Sequence, residues 1–258
     1  MKDKSKTARM PLLEHLREFR KRVVRSATAI TLAAIIGWFF YNEIITKLAE
    51  PVCDLALAQK TGSNTCGSLY ISGVLGPLNL QIKVALLTGV IIAAPIWLYQ
   101  LWAFIAPALH RKEKRNSIFF FVAATPFFAA GTLLGYAILP LAIKVLFGFT
   151  PESLANLVKF DDYLDFVMRT ILVFGLAFEL PVFLVTFNLI GFLSGIAILR
   201  PWRIWVFCIV LFVAAFSPTA DPLSMILLAL PLIILYLLSG VFALWNDRRR
   251  SKKEIPLV

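Results

Sequence analysis

Three glutamates stand in settings where a carboxylate needs a reason. Glu179 lies near the middle of the apolar run 166–191. That run is long enough to cross a bilayer, since about 20 helical residues at roughly 1.5 Å each span some 30 Å of hydrocarbon. An acid at that depth costs on the order of 3 kcal/mol on insertion scales, so it faces protein, water or a partner. Protonated, it can donate a hydrogen bond to a polar side chain on a neighbouring helix; the bland alternative is a carboxyl that only joins its own helices. Glu18 and Glu113 are the opposite case, acids set in basic segments. A carboxylate accepts a guanidinium bidentately, and surrounding positive charge penalises cations docking anywhere else. The two segments therefore point to focal recognition of a cation.

The elements that must position these groups are membrane helices. Apolar residues make up 59% of the 258 and charged residues only 16%, with a mean hydropathy of +0.81. Such a chain is too apolar for a soluble domain of this length. Six apolar blocks, near 23–41, 78–98, 118–140, 166–191, 204–216 and 223–245, lack barrel alternation and are predicted to be helices. Twenty of the 26 Lys and Arg fall on one side of these blocks, which by the positive-inside rule puts both termini in the cytoplasm. The expected fold is all-α: a polytopic membrane protein of six transmembrane helices in a curved bundle, with residues 1–22 a cytoplasmic amphipathic helix, 23–245 the membrane domain and 246–258 a mobile, charged cytoplasmic tail. The formal charge of +11 then reflects topology and adhesion to anionic lipids, not nucleic-acid binding.

In the N-terminal segment Leu12, Leu16, Phe19 and Val23 form one helical face, and Glu14, Arg17, Glu18, Lys21 and Arg22 the other. This predicts a helix lying on the inner membrane surface before bending into the first span. The simplest reading of Glu18 is an i,i+4 pair with Arg22, worth a few tenths of a kcal/mol. Trp102 and Phe104, in the loop before Glu113, read equally as an interfacial aromatic belt. The fifth block gives only about 20 Å of helix against roughly 30 Å of hydrocarbon, which calls for local thinning of the bilayer. Lys83 is read as reaching lipid headgroups or the outer rim. Cys53 and Cys66 share the loop 42–77, where a disulfide would stabilise by roughly 3 kcal/mol; two free thiols are the alternative. Cys208 is expected to pack as a small apolar residue. With two His and scattered Cys, neither a metal site nor a cofactor is expected.

Beyond these features, His15-Leu-Arg-Glu-Phe-Arg-Lys-Arg22 resembles the His-Leu-x-Glu-Leu-Arg-x-Arg signature of the TatC family, the multi-spanning subunits of the twin-arginine protein translocase. Ala94-Pro-Ile-Trp-Leu-Tyr-Gln100 with Trp102-Ala-Phe-Ile-Ala-Pro-Ala-Leu109, Phe174-Gly-Leu-Ala-Phe-Glu-Leu-Pro181 and Ser217-Pro-Thr-Ala-Asp-Pro222 are similar to that family's later motifs, in order. The resemblance covers nearly the whole chain. It implies a receptor of the bacterial plasma membrane that binds twin-arginine signal peptides of folded cargo through Glu18 and Glu113, with Arg20, Arg22 and Phe104 recognising or supporting. It implies that Glu179 contacts single-span partner subunits of the TatA and TatB types, driven by the proton-motive force, within a hetro-oligomeric complex that holds several copies of this chain. Pro51, Pro95 and Asp221 fall on motif positions with structural roles. The chain departs from the family in Phe19, where Leu is common, and in Met225, where a polar Gln is frequent. A proton-coupled solute transporter would need duplicated halves, and a membrane enzyme a nucleophile–base or metal constellation; the sequence offers neither.

Overall fold

The computed structural model describes residues 12–58, 69–105, 114–148, 157–216 and 222–253. Ten helices and two short strands follow in order: α1 (Leu12–Phe39), α2 (Tyr41–Ala58), β1 (Leu69–Tyr70), α3 (Gly76–Ile92), α4 (Ala94–Ile105), α5 (Lys114–Phe147), β2 (Val158–Lys159), α6 (Phe160–Ala177), α7 (Glu179–Leu189), α8 (Gly195–Leu199), α9 (Trp202–Phe216) and α10 (Pro222–Lys253). Four stretches, Leu16–Phe39, Ala123–Phe147, Phe160–Leu189 and Leu228–Arg250, are long and apolar enough to cross a membrane. The α3–α4 pair makes a fifth, bent by 60°, and Trp202–Ala215 is a shorter apolar helix. Large apolar side chains cover the outside: Leu32, Ile35 and Phe39 on α1, Ile204, Phe207 and Leu211 on α9, and Ile226, Leu230 and Leu238 on α10 are all exposed. A surface of this kind needs lipid, because contiguous apolar area of such extent is not tolerated against water.

Three apolar clusters fill the interior. Leu80 and Val84 of α3, Val52 of α2, Leu139 of α5 and Leu164 and Val167 of α6 form the first. Ile198, Ile209, Leu232 and Tyr236 join α8, α9 and α10 in the second. Leu98 and Trp102 of α4, Phe128 of α5 and Val182 of α7 form the third, nearest the motif residues. The α5–α6 seam is close: a Cβ on Gly131 would lie 2.6 Å from the Phe174 carbonyl oxygen, and one on Gly135 3.1 Å from Ile171 Cα. Glycines four apart let two backbones approach in this way.

Two prolines disturb the backbone pairing locally. Proline has no N–H, so the carbonyl four residues earlier loses its donor. In α2, Pro51 strips Lys47 in this way, and the Tyr136 hydroxyl of α5 donates to the Lys47 carbonyl at 2.8 Å instead. Pro51 itself is buried. At the α3–α4 bend, Pro95 is the second residue of α4, and the Trp97 indole donates to the Val90 carbonyl at 2.9 Å.

Several expectations need correction. The N-terminal amphipathic segment does not bend into the first span; α1 runs unbroken from Leu12 to Phe39, because nothing at residues 22–23 breaks a helix. The loop 42–77 contains the 18-residue helix α2, whose apolar face packs on α5 and α6 through Leu48 and Val52. The charged segment after Trp245 is helical to Lys253. There Asp247 accepts the Gly195 N–H at 2.6 Å, and the Arg249 guanidinium lies 3.5 Å over the Trp245 ring. Cys208 is exposed on α9 instead of packed inside.

Lys83 does not reach for headgroups. Its ammonium is clasped by Asp161 at 2.8 Å and Asp165 at 2.6 Å, both on α6, and Asn79 donates to Asp161 at 3.1 Å. Lys83→Met is expected to leave Asp165 without its cation and Asp161 with only the longer contact to Lys159, and to lower stability by about 2 kcal/mol. Thermal denaturation in detergent checks this, and an unchanged midpoint would reduce the clasp to a solvated surface pair.

Candidate functional site

Several of the residues singled out in the sequence, Glu18, Arg22 and Phe104, lie at the end of the bundle where α1 begins and α4 ends. Glu18 and Arg22 lie one turn apart on α1, so their side chains meet. The Glu18 Oε1 accepts from the Arg22 Nε at 3.1 Å and from its Nη2 at 2.5 Å, both side chains being partly exposed. Arg22 Nη1 also reaches Gln100 Oε1 of α4 at 3.5 Å. Among the described residues, Glu18 Oε2 has no hydrogen-bond partner, so one lobe of the carboxylate stands open beside its ion pair. Arg20 is exposed and pairs with no acid among the described residues.

Phe19 carries this site onto α4, its ring centroid 5.2 Å from that of Phe104. The departure from the usual leucine at this position thus gives an aromatic contact between α1 and α4. Trp102, one turn from Leu98 on the buried face of α4, meets Phe183 and Phe187 of α7 at 5.7 and 6.4 Å. The structure therefore brings Glu18, Arg22 and Phe104 into one corner. Glu113, Asp221 and Cys66 lie outside the described residues. Cys53 is disulfide-bonded.

Glu179 opens α7 directly after the break at Phe178. It is 3% exposed, and neither carboxyl oxygen has a hydrogen-bond partner among the described residues. Val182, Phe183 and Thr186 follow at steps of three, four and seven, so Glu179 shares the α7 face that packs on Trp102 and Phe128. Trp102, on the same helix as Phe104, thus packs on the α7 face that carries Glu179. A buried carboxyl in this setting cannot stay charged cheaply, it finds no mate among the described residues, and a polar group from outside would relieve both.

Sequence reasoning missed one polar knot. Asn188, 1% exposed at the end of α7, donates to Asp247 Oδ1 at 2.7 Å and to the Leu193 carbonyl at 2.9 Å, while Asn246 donates to Asn188 Oδ1 at 2.9 Å. The visible signal was a lone acid, Asp247, before three arginines. Gln100 was missed too, because an amide within a recognised motif carries no signal of its own.

Comparison with known proteins identifies the family. Residues 14–231 match the family model described as Sec-independent protein translocase protein (TatC). The chain is 39% identical over 248 residues to the Sec-independent protein translocase protein TatC of Xylanimonas cellulosilytica, covering 96% of this chain and 88% of that one. It is 35% identical over 251 residues to the Aquifex aeolicus protein of the same name, covering 95% and 99%. A crystal structure of a twin-arginine translocase receptor TatC superimposes with a TM-score of 0.77 at 31% identity, covering 89% of this chain and 99% of the other. The chain belongs to the TatC family of Sec-independent protein translocase proteins, multi-pass membrane components of protein transport and not enzymes.

Proposed function

We propose that this chain is the receptor of a twin-arginine translocase, binding the paired arginines of a signal peptide at the α1–α4 corner. One observation carries the reading: Glu18 holds the Arg22 guanidinium through one oxygen and, among the described residues, leaves the other without a partner, while the neighbouring Phe19 packs on Phe104. An incoming guanidinium can take the open lobe, and an apolar signal-peptide residue can pack on Phe104. Arg22 orients the acid, and Glu113 supplies a second carboxylate for the second arginine. Lysine lacks the planar fork, so Arg-Arg is preferred to Lys-Lys.

The same reading makes six spans, with α9 the short fifth and the α3–α4 pair bent. It places residues 1–22 and 246–258 in the cytoplasm of a bacterial inner membrane, with residues 23–245 as the membrane domain. Glu179 then offers its unmatched carboxyl to a polar residue of a single-span subunit. Pro51 and Pro95 shape the outer helix and the bend, Asp221 holds the outer turn, and several copies assemble with those subunits under the proton-motive force.

Glu18→Ala is expected to weaken binding of an Arg-Arg peptide about tenfold, a loss of about 1.4 kcal/mol, and to leave Lys-Lys binding low and unchanged. Photo-crosslinking from residues beside Glu18 and Glu113, with peptide titrations on the folded protein, reads this. Equal labelling by both peptides would return Glu18 to a helix salt bridge.

A further inference from the structure

The end of the bundle remote from Glu18 carries a built apolar ledge. Leu69 and Tyr70 pair in parallel with Val158 and Lys159, locking the segment before α3 to the segment before α6. Gly73, at a φ of +80°, turns the chain, and the Gly76 N–H closes the turn on the Gly73 carbonyl at 3.3 Å. Only glycine adopts that φ readily, so the turn is fixed in shape. It projects Val74, 98% exposed, and Leu75, 71% exposed, away from the protein, with Ile71 and Leu157 also exposed beside them. Turns that meet water carry Asn, Asp, Ser and Gly at such positions; this one carries its largest apolar side chains outermost.

Two observations say what covers the ledge. Leu78, Ile82 and Leu86 are exposed at steps of four along α3, so the ledge continues without interruption into the face of a helix that belongs to a membrane-crossing pair. Beneath the turn lies a groove of about 720 Å³, with Ile71, Val74, Leu78 and Ile82 on its apolar wall and Lys159 and Asp161 on its polar rim. Lys159 and Asp161 lie 3.8 Å apart, a cation and an anion side by side at the border between apolar and polar surface. Tyr70, half exposed on β1, stands at the same border, where tyrosine favours the headgroup layer.

We propose that residues 71–75 form a lipid anchor, with Val74 and Leu75 inserted among the acyl chains of the leaflet at the α3 start and phospholipid headgroups resting on Lys159 and Asp161. The continuous α3 stripe favours phospholipid over a protein partner, because the same hydrocarbon already covers the helix immediately below. Insertion would fix the outer end of α3, and through the Lys83 clasp also α6, at a set depth in the membrane.

The test labels Val74→Cys and Leu75→Cys, each in a Cys208→Ser background, with an environment-sensitive fluorophore. The full-length protein is reconstituted into phosphatidylethanolamine–phosphatidylglycerol vesicles, with labelled Cys208→Ser protein as the blank. Blue-shifted emission that falls at least about twofold with doxyl-labelled phospholipid, resists aqueous iodide and persists when lipid is added to dilute the protein is the expected result. Water-like emission quenched by iodide would overturn the proposal. Blue-shifted emission that doxyl lipid leaves untouched, or that disappears on dilution, would also overturn it and assign the ledge to a second protein chain.

Discussion

Gly131→Leu is expected to force α5 away from α6 and to lower stability by about 3 kcal/mol, at the upper end of what overpacking a filled interior costs. The clash is with backbone: the added Cβ would meet the Phe174 carbonyl oxygen at 2.6 Å and Phe178 Cβ at 2.8 Å, and neither yields by a rotamer change. The alanine variants give a finer check. Alanine gains about 1 kcal/mol over glycine in helix propensity, which opposes the clash. At Gly135 the nearest atoms are 3.1 Å away, so Gly135→Ala is expected to be close to neutral, while Gly131→Ala remains destabilising. Denaturant or thermal unfolding in detergent orders the three variants. Gly131→Ala as stable as Gly135→Ala would show that the seam can open freely. The functional consequence follows from position: Phe178 immediately precedes Glu179, so a wedge at Gly131 moves the start of α7 and the acid with it. Export by Gly131→Leu protein that still inserts is expected to fall sharply, whereas peptide binding at the α1–α4 corner is largely retained.

Asp247→Ala should be nearly as damaging, at about 3 kcal/mol, because it leaves the Gly195 N–H and a buried Asn188 donor without their charged acceptor. Asp247→Asn retains a carbonyl oxygen, loses the charge and is expected to cost clearly less. The effect reaches the recognition corner. Asn188 is adjacent to Phe187, whose ring meets Trp102 at 6.4 Å, and Trp102 belongs to the helix that presents Gln100 and Phe104. Folded Asp247→Ala protein is therefore expected to bind an Arg-Arg peptide several-fold more weakly, with the Arg-Arg over Lys-Lys preference intact. Loss of that preference would mean that the knot touches the ligand instead of positioning α4. Unchanged unfolding would mean that the charged end of α10 is held by something other than Asp247.

What could be read in the chain alone follows from strong local terms. Apolar blocks long enough to span hydrocarbon must be helices, since no other open structure satisfies a backbone in lipid, and each of the six blocks is helical in the structure. The Glu18–Arg22 pair is a matter of helical pitch and was equally legible. Pro95 marked the bend, because a missing donor acts within one turn of its own residue. Glu179 was conspicuous from its neighbours alone, and the structure adds that neither oxygen finds a partner among the described residues.

Other features depend on which distant residue arrives opposite, and no spacing along the chain encodes that. Lys83 read as a lipid-facing cation until Asp161 and Asp165, some eighty residues later, closed on it. The segment after Trp245 read as a mobile tail because charge runs favour solvent; Asn188 and Gly195 captured Asp247 and kept the helix intact. Pro51 leaves the Lys47 carbonyl of α2 without its helical donor, and only packing could bring the Tyr136 hydroxyl to fill that gap. Sequence determined the solvent, the helices and the conspicuous acids, because each follows from a residue and its near neighbours. Tertiary structure decided which carbonyls and charges are satisfied, how closely α5 meets α6, and that Trp102 of α4 packs on the α7 face that carries Glu179, because those depend on contacts between helices far apart in the chain.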